Sequence, residues 1–224
     1  MRVLRTDPSE LLPTLHGQRV VLRGPDSDDL DAWKALRGAS RAFLEPWEPL
    51  WPVDDLEKSA FRRRLSRWTR EIRDGVTFPY FVCARETGAL LGGVTLAQVR
   101  RGVTQAGTIG YWMGEPHAGR GYMSEAVGVL AVHAFATLGL HRLEAACLPQ
   151  NGPSIRLLEK VGFAREGLAR AYLCIAGRWR DHILWGLLAD DPLFPARPAP
   201  GEAAFEAASV GFAPRALVED SPGR

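Results

Sequence analysis

The stretch Thr108-Ile109-Gly110-Tyr111-Trp112-Met113-Gly114-Glu115-Pro116-His117-Ala118-Gly119-Arg120-Gly121-Tyr122-Met123-Ser124-Glu125-Ala126 decides how the rest of the chain is read. Thr108 to Met113 is rich in β-branched and aromatic residues and reads as a strand. A glycine-rich turn runs from Gly114 to Gly121, and the apolar residues after it read as a helix over Met123 to Thr137. Gly119 and Gly121 let the backbone come close to a ligand. The first amides of the helix have no intrahelical partners, and the helix dipole favours an anion there. Strand, G-x-G and helix together make a candidate diphosphate cradle, although a plain strand-to-helix turn has the same spacing. It is no Walker loop, because no Gly-Lys-Ser/Thr follows. It is no dinucleotide fingerprint either, since Ser124 stands where the third glycine would fall.

Outward from this stretch the chain alternates between two periods. Towards the amino terminus, Val20-Val21-Leu22 is a short strand, and Ser27 to Leu36 a helix capped by Ser27 or Asp28. Phe61, Leu65, Trp68 and Ile72 recur at i, i+4, i+7 and i+11, the apolar stripe of a core-facing helix. Phe78 to Arg85 and Leu90 to Gln98 are strands separated by the turn Glu86-Thr87-Gly88. Towards the carboxyl terminus come a strand over Arg142 to Leu148 and a helix over Pro153 to Val161, with Asn151 or Gly152 near its cap. Strands over Ala164 to Leu173 and Trp179 to Leu188 follow, joined through Gly177. The order β-α-α-β-β-β-α-β-α-β-β predicts an α/β (α+β mixed) class, with a mixed sheet covered by helices on both faces.

Composition closes off other classes. Of 224 residues, 46% are hydrophobic and 24% charged, a globular balance. The 28 basic and 26 acidic side chains leave a net charge of +2, too even for affinity built on counterion release from nucleic acid. Cys83, Cys147 and Cys174 are an odd number at wide spacing, so neither a disulfide framework nor a zinc site is expected and a reducing compartment is. The most apolar run, Ala126 to Ala136, has 11 residues and contains His133, too few to span a bilayer. A soluble, cytoplasmic protein is expected. Composition shifts near Asp190. The last 35 residues hold six prolines, so residues 1–189 read as one domain and 190–224 as an irregular Pro/Ala-rich tail, with Phe194, Phe205 and Phe212 as candidate pins onto the body or a partner subunit.

The segment Gly110 to Pro116 with Gly119 to Ala126 resembles motif A of the GNAT acyl-CoA N-acyltransferases. Thirty residues after Gly121, Asn151-Gly152-Pro153-Ser154-Ile155-Arg156-Leu157-Leu158-Glu159-Lys160-Val161-Gly162-Phe163 resembles motif B, and the body from Arg19 to Leu188 fits the superfamily. Phe43-Leu44-Glu45-Pro46-Trp47-Glu48-Pro49 and Gly177-Arg178-Trp179-Arg180-Asp181-His182 look like the branch containing the ribosomal-protein-alanine N-acetyltransferases. The resemblance implies a twisted, mostly antiparallel GNAT sheet and acetyl-CoA as co-substrate, without a metal. It places the CoA diphosphate on the amides of Ala118, Gly119, Arg120, Gly121, Tyr122 and Met123, with His117 beside the phosphate. The pantetheine arm would lie along Tyr111, Trp112 and Met113 as an added strand, with an amide near Trp112 or Met113 as oxyanion donor. Asn151 and Ser154 match the polar positions beside the pantetheine and sulfur. Two positions depart from the pattern, Pro116 where Gln or Arg is frequent and Leu158 where a tyrosine often acts as acid. The second leaves Ser154, or water, to protonate the departing thiolate, although a serine near a helix start is commonly a cap.

The implied acceptor is a primary amine, foremost a protein or peptide amino terminus such as a ribosomal protein's. A terminal amine with pKa near 7.7–8.0 costs only about 1–1.4 kcal/mol to neutralise at pH 7, against roughly 4.6 for a lysine side chain. Glu48, Glu115 and Asp181 are candidates to position a water or the ammonium, and each is of a type more often found as a cap, turn or surface carboxylate. Trp47, Trp51, Tyr111 and Tyr172 are candidate groove walls, while Trp68 and Trp185 are expected in the core. Cys147 offers an acetyl-cysteine route, against the commoner inert buried thiol. His133 and His141 suit packing or helix ends. Arg62, Arg63, Arg64, Arg67, Arg70 and Arg73 flank one helix, by default as a solvated face, with ribosomal RNA or the CoA 3′-phosphate as the lesser reading. Acetylation of a small amine or aminoglycoside is the alternative enzyme, and a non-catalytic acyl-CoA-binding module the alternative class. A monomer and a homodimer both fit.

Overall fold

The computed structural model describes residues 6–194. In chain order its elements are α1 (Pro8–Leu11), β1 (Leu15–His16), β2 (Val20–Arg23), α2 (Leu30–Ala39), α3 (Arg41–Leu44), α4 (Lys58–Arg73), β3 (Phe78–Ala84), β4 (Leu90–Arg100), β5 (Ala106–Met113), α5 (Tyr122–Ala136), β6 (Arg142–Cys147), α6 (Gly152–Val161), β7 (Ala164–Ile175) and β8 (Arg178–Leu188). Short 3-10 turns cover Ser27–Asp29, Glu45–Trp47 and Glu115–His117.

The eight strands form one sheet in the order β1-β2-β3-β4-β5-β6-β8-β7, antiparallel throughout except for β5 beside β6. Alternation along β3 explains the layers. Tyr80 and Val82 point into the main core with α5 and α6, whereas Phe81 and Cys83 point to a second core with Trp33 of α2 and Phe61 and Leu65 of α4. Helices therefore cover both faces, as the order of elements predicts. The stripe on α4 divides accordingly, with Phe61, Leu65 and Trp68 in the second core and Ile72 against the first. Trp68 meets Phe81 edge-on at 6.5 Å, and Trp185 is buried in the main core.

The expected helix over Ser27 to Leu36 is a 3-10 turn followed by α2, and neither Ser27 nor Asp28 caps it. The carboxylate of Asp26 accepts the Asp28 N–H at 3.1 Å, while Asp29 Oδ2 accepts the Asp26 N–H at 2.7 Å. This reciprocal Asp pair tightens the first turn and delays the α-helix to Leu30. The segments α1, β1 and α3 are too short for a periodic signal and lie outside the expected order. The β7–β8 hairpin closes over Ala176 and Gly177, with φ of 47° and 75°, the doubly positive geometry of a two-residue turn. The Phe194 N–H donates to Val161 at 3.1 Å, and its ring packs so closely on Gly128 of α5 that a Cβ there would meet it at 2.3 Å. Phe205 and Phe212, the other expected pins, lie outside the described residues.

Candidate active site

The parallel pair sets up the site by ending early. β5 and β6 are in register only over Ala106–Thr108 and Arg142–Glu144, after which β6 continues its pairing with β8 alone. The backbone of Ile109 to Met113 is thus paired to β4 on one side and open on the other. The Gly114 N–H donates to Leu91 at 2.9 Å. Because groups alternate along a strand, Trp112 also faces β4, while the amides and carbonyls of Tyr111 and Met113 face the gap. Of the two candidate oxyanion amides, Met113 is therefore the one turned to the cleft.

Beyond β5 the chain makes the tight turn Glu115–His117 and reaches Gly119 and Gly121, whose φ values of 73° and 81° lie in the left-handed region. Gly121 is the N-cap of α5, and no side chain caps the helix. The first-turn carboxylate of Glu125 would repel an anion, but it is turned away. Its Oε1 accepts the Arg19 and Val20 N–H groups at 2.7 and 3.3 Å, and Oε2 accepts Arg19 Nε at 3.1 Å. Arg19 also donates to the Arg120 carbonyl at 3.2 Å and lies over the Tyr122 ring at 5.1 Å. It thereby braces the loop from the turn before β2, a hundred residues away, which no local pattern in the sequence announces. Open helix amides beside an unpaired strand edge fit a molecule carrying a diphosphate at one end and a peptide-like arm at the other. The His117 imidazole lines the same cleft and is held below its usual pKa by burial and by the nearby Arg120.

On the far wall Asn151, not Ser154, caps α6. The Asn151 carboxamide oxygen accepts the Ser154 N–H at 3.1 Å. The Ser154 hydroxyl is instead 2.6 Å from the Tyr111 hydroxyl, and burial pushes that phenol well above the ordinary tyrosine pKa. A tyrosine hydroxyl thus arrives from β5 although Leu158 occupies the motif B position. Cys147 at the end of β6 is buried and accepts the Trp185 indole N–H at 3.3 Å. Burial raises its thiol pKa, the environment of an inert cysteine rather than an acyl carrier.

The cleft has a volume of about 620 Å³, within the range of small-molecule sites. The structure brings together in it Tyr111, Trp112, Met113, His117, Ala118, Gly119, Gly121, Tyr122, Met123, Asn151 and Ser154, with Trp47 and Glu48 on the opposite wall. Arg120, Glu115, Asp181 and Tyr172 lie outside the lining. Glu115 is exposed in its 3-10 turn. Asp181 Oδ1 accepts the Ala171 N–H at 2.8 Å and so fixes an irregular stretch of β7 where Ala171 has φ of 45°. Tyr172 is half exposed and reaches the cleft only through the edge of the His182 ring, 5.8 Å away.

Glu48 has its oxygens engaged. Arg37 donates to both, at 3.1 and 2.7 Å, and the Trp51 indole adds a third hydrogen bond at 2.7 Å. The Arg37 guanidinium is buried against Trp51, Trp112 and Trp33, at 4.2, 5.0 and 5.9 Å from their rings. The Glu48 carbonyl accepts the Ala176 N–H at 2.9 Å. The loop carrying Trp47 and Glu48 is therefore clamped between α2 and the β7–β8 turn. Sequence reasoning passes over Arg37, which has no motif around it, and gives no role to the cleft-lining His182, although it ends the Gly177 to His182 segment that carries the resemblance.

Residues 19–164 match the family model described as an acetyltransferase (GNAT) domain. The chain is similar to the probable N-acetyltransferase YjcK of Bacillus subtilis, 32% identical over 79% of this chain and 98% of that one. It is also similar to the [ribosomal protein uS5]-alanine N-acetyltransferase of Escherichia coli, 33% identical over 73% of this chain and 85% of that one. Among solved structures, Mycobacterium smegmatis RimJ in complex with CoA-disulfide superposes with a TM-score of 0.76 at 33% identity, covering 79% of this chain and 88% of that one.

Proposed function

The chain is a member of the GNAT acetyltransferase family, and on that premise we propose that it acetylates the α-amine at the amino terminus of a protein. Acetyl-CoA is the acetyl donor, and the solved relative RimJ holds a CoA compound on the same fold. In this reading the amides at the start of α5 bind the diphosphate and the open edge of β5 binds the pantetheine arm. The Met113 N–H faces the thioester oxygen as charge builds on it. The amine attacks directly, with both substrates held side by side in the cleft, and Ser154 protonates the departing thiolate.

The observation that carries the choice of acceptor is the state of Glu48. It is the only carboxylate lining the cleft among the described residues, and Arg37 and Trp51 occupy its oxygens. A polycationic aminoglycoside calls for several free carboxylates, whereas a peptide with one terminal amine does not. The similarity to an enzyme named for an alanine of ribosomal protein uS5 supports a ribosomal protein as the acceptor. No helix of the described residues is long and apolar enough to cross a membrane. Together with three free cysteines this supports a cytoplasmic setting. Mass spectrometry of peptides incubated with the protein and acetyl-CoA tests the reading. Acetyl label on terminal α-amines is the expected result, and label confined to aminoglycosides would overturn it.

A further inference from the structure

His182 lies on β8, is 3% exposed, and lines the cleft that also holds Ser154. Its Nδ1 is 3.0 Å from the Arg180 carbonyl oxygen. A carbonyl only accepts, so the proton of the neutral ring sits on Nδ1 and the lone pair on Nε2. Nε2 has no hydrogen-bond partner among the described residues. Nor is it among the buried, unpartnered polar atoms, which are Arg37 Nε, Asp55 Oδ2 and Tyr80 Oη. A residue so nearly enclosed, with one ring nitrogen neither bonded nor sealed, presents that nitrogen to the cleft. The Tyr172 ring packs against the imidazole, 5.8 Å between ring centres.

We propose that His182 is the general base for the acceptor amine, taking its proton on Nε2 directly or through one water. The inference rests on the amine-acetylation reading above. In the step, the acceptor ammonium first gives one proton to Nε2, which passes it to solvent. The freed lone pair then forms the nitrogen–carbon bond as the carbon–sulfur bond breaks and the electron pair departs on sulfur, and the second nitrogen proton is lost to solvent as the amide forms. The thiolate takes a proton from the Ser154 hydroxyl, which solvent resupplies. Of the other candidates in the cleft, Glu48 is bonded to Arg37 and Trp51, burial raises Cys147 and Tyr111, and His117 sits in the cradle loop that the reading above gives to the diphosphate. Of the ionisable groups, Tyr172 from β7 meets the ring and Arg180 stands two residues away on the same strand, while Glu48 from the clamped loop and Cys147 from β6 line the same cleft.

Two variants separate a base from a brace. His182→Asn keeps a donor near the Nδ1 position for the Arg180 carbonyl and removes the open nitrogen. His182→Gln puts a non-basic amide near the Nε2 position. Both are expected to lose kcat/KM for the amine by roughly 100-fold at pH 7. The loss should shrink toward pH 9, where a terminal amine with pKa of about 7.7–8.0 has shed its own proton. Calorimetric affinity for acetyl-CoA should stay within about twofold of wild type, which also reports that the variants fold. Activity equal to wild type, or a loss equally large at pH 7 and pH 9, would overturn the assignment. The assay uses whichever amine the wild type acetylates. Wild-type protein that labels no amine would instead defeat the functional reading and this inference with it.

Discussion

The two sides of the cleft are built from different material. The side proposed for the donor is backbone, with the open edge of β5, the positive-φ glycines 119 and 121, and the uncapped start of α5. The side proposed for the acceptor is side chains, with Arg37, Glu48 and Trp51 from one region and His182 from another more than a hundred residues away. Backbone recognition needs only a local conformation, so one short stretch specifies it. Side-chain recognition needs distant segments to meet, so no short stretch does. The donor side should therefore fail by loss of conformation and the acceptor side by loss of contacts.

The sharpest break comes at Gly121. Its φ of 81° costs an ordinary residue about 1–2 kcal/mol, and valine more, yet a Cβ would meet only the flexible end of Arg19 at 3.2 Å. Gly121→Val should therefore redirect the loop rather than unfold the domain. Calorimetry should show acetyl-CoA affinity down by about 100-fold or more, roughly 2.7 kcal/mol, with the thermal transition preserved. Unchanged affinity would remove the backbone cradle from the donor side.

Arg37→Ala tests the other wall. It leaves the Glu48 carboxylate half-buried without its main partner and strips a cation from three indole rings. The expected cost is about 3 kcal/mol, a fall in Tm of roughly 6–12 °C for a domain this size. KM for the acceptor should rise by more than acetyl-CoA affinity falls, because Arg37 reaches the donor side only through the Trp112 ring, 5.0 Å away. Equal damage to both substrates would show that the two sides are not independent.

Ser154 and Tyr111 stand where the sides meet. Ser154→Ala should lower kcat about 10-fold to 100-fold with acetyl-CoA affinity unchanged. Tyr111→Phe removes only the phenol that bonds the serine, and about fivefold is expected, the worth of one hydrogen bond. Single-turnover rates with saturating acetyl-CoA measure both. A larger effect at Tyr111 than at Ser154 would reverse the assignment of the proton donor.

The same contrast explains what could be read without coordinates. The 3.6-residue stripe of α4, the apolar run of α5 and the β-formers of β3 to β8 indicate the layers, because burial imposes those patterns. The glycine spacing gave the cradle. The role of Ser154 as cap or acid hung on Asn151, and both residues are visible in sequence, but which side chain reaches the amide is a matter of geometry. Asp181 and Glu48 show the limit more clearly. Each is a candidate carboxylate in sequence, and each is held by a donor on a neighbouring element ten or eleven residues away, the Ala171 amide of β7 in one case and Arg37 of α2 in the other. Arg19, the brace of the donor loop, was invisible for the same reason.

The smallest expected effect is on pH. His117 in the donor loop and His133 in α5 are both held below the ordinary histidine pKa, chiefly by burial. Their folded values lie below their unfolded ones, so the unfolded chain takes up protons first as pH falls. Stability is then full above about pH 6.5 and declines as the solution is acidified through the depressed folded values. The decline should be slight, a few degrees of Tm between pH 7.5 and pH 5.5, because neither ring is fully enclosed. Acetyl-CoA should shift the opposite way at His117. A diphosphate beside the imidazole favours its charged form, so binding takes up a proton and the affinity gained from this residue rises as pH falls. The measure is the difference in calorimetric affinity between wild type and His117→Ala at the two pH values. About a threefold gain confined to wild type at pH 5.5 would place the imidazole at the phosphates, and parallel curves would leave the donor side to backbone alone.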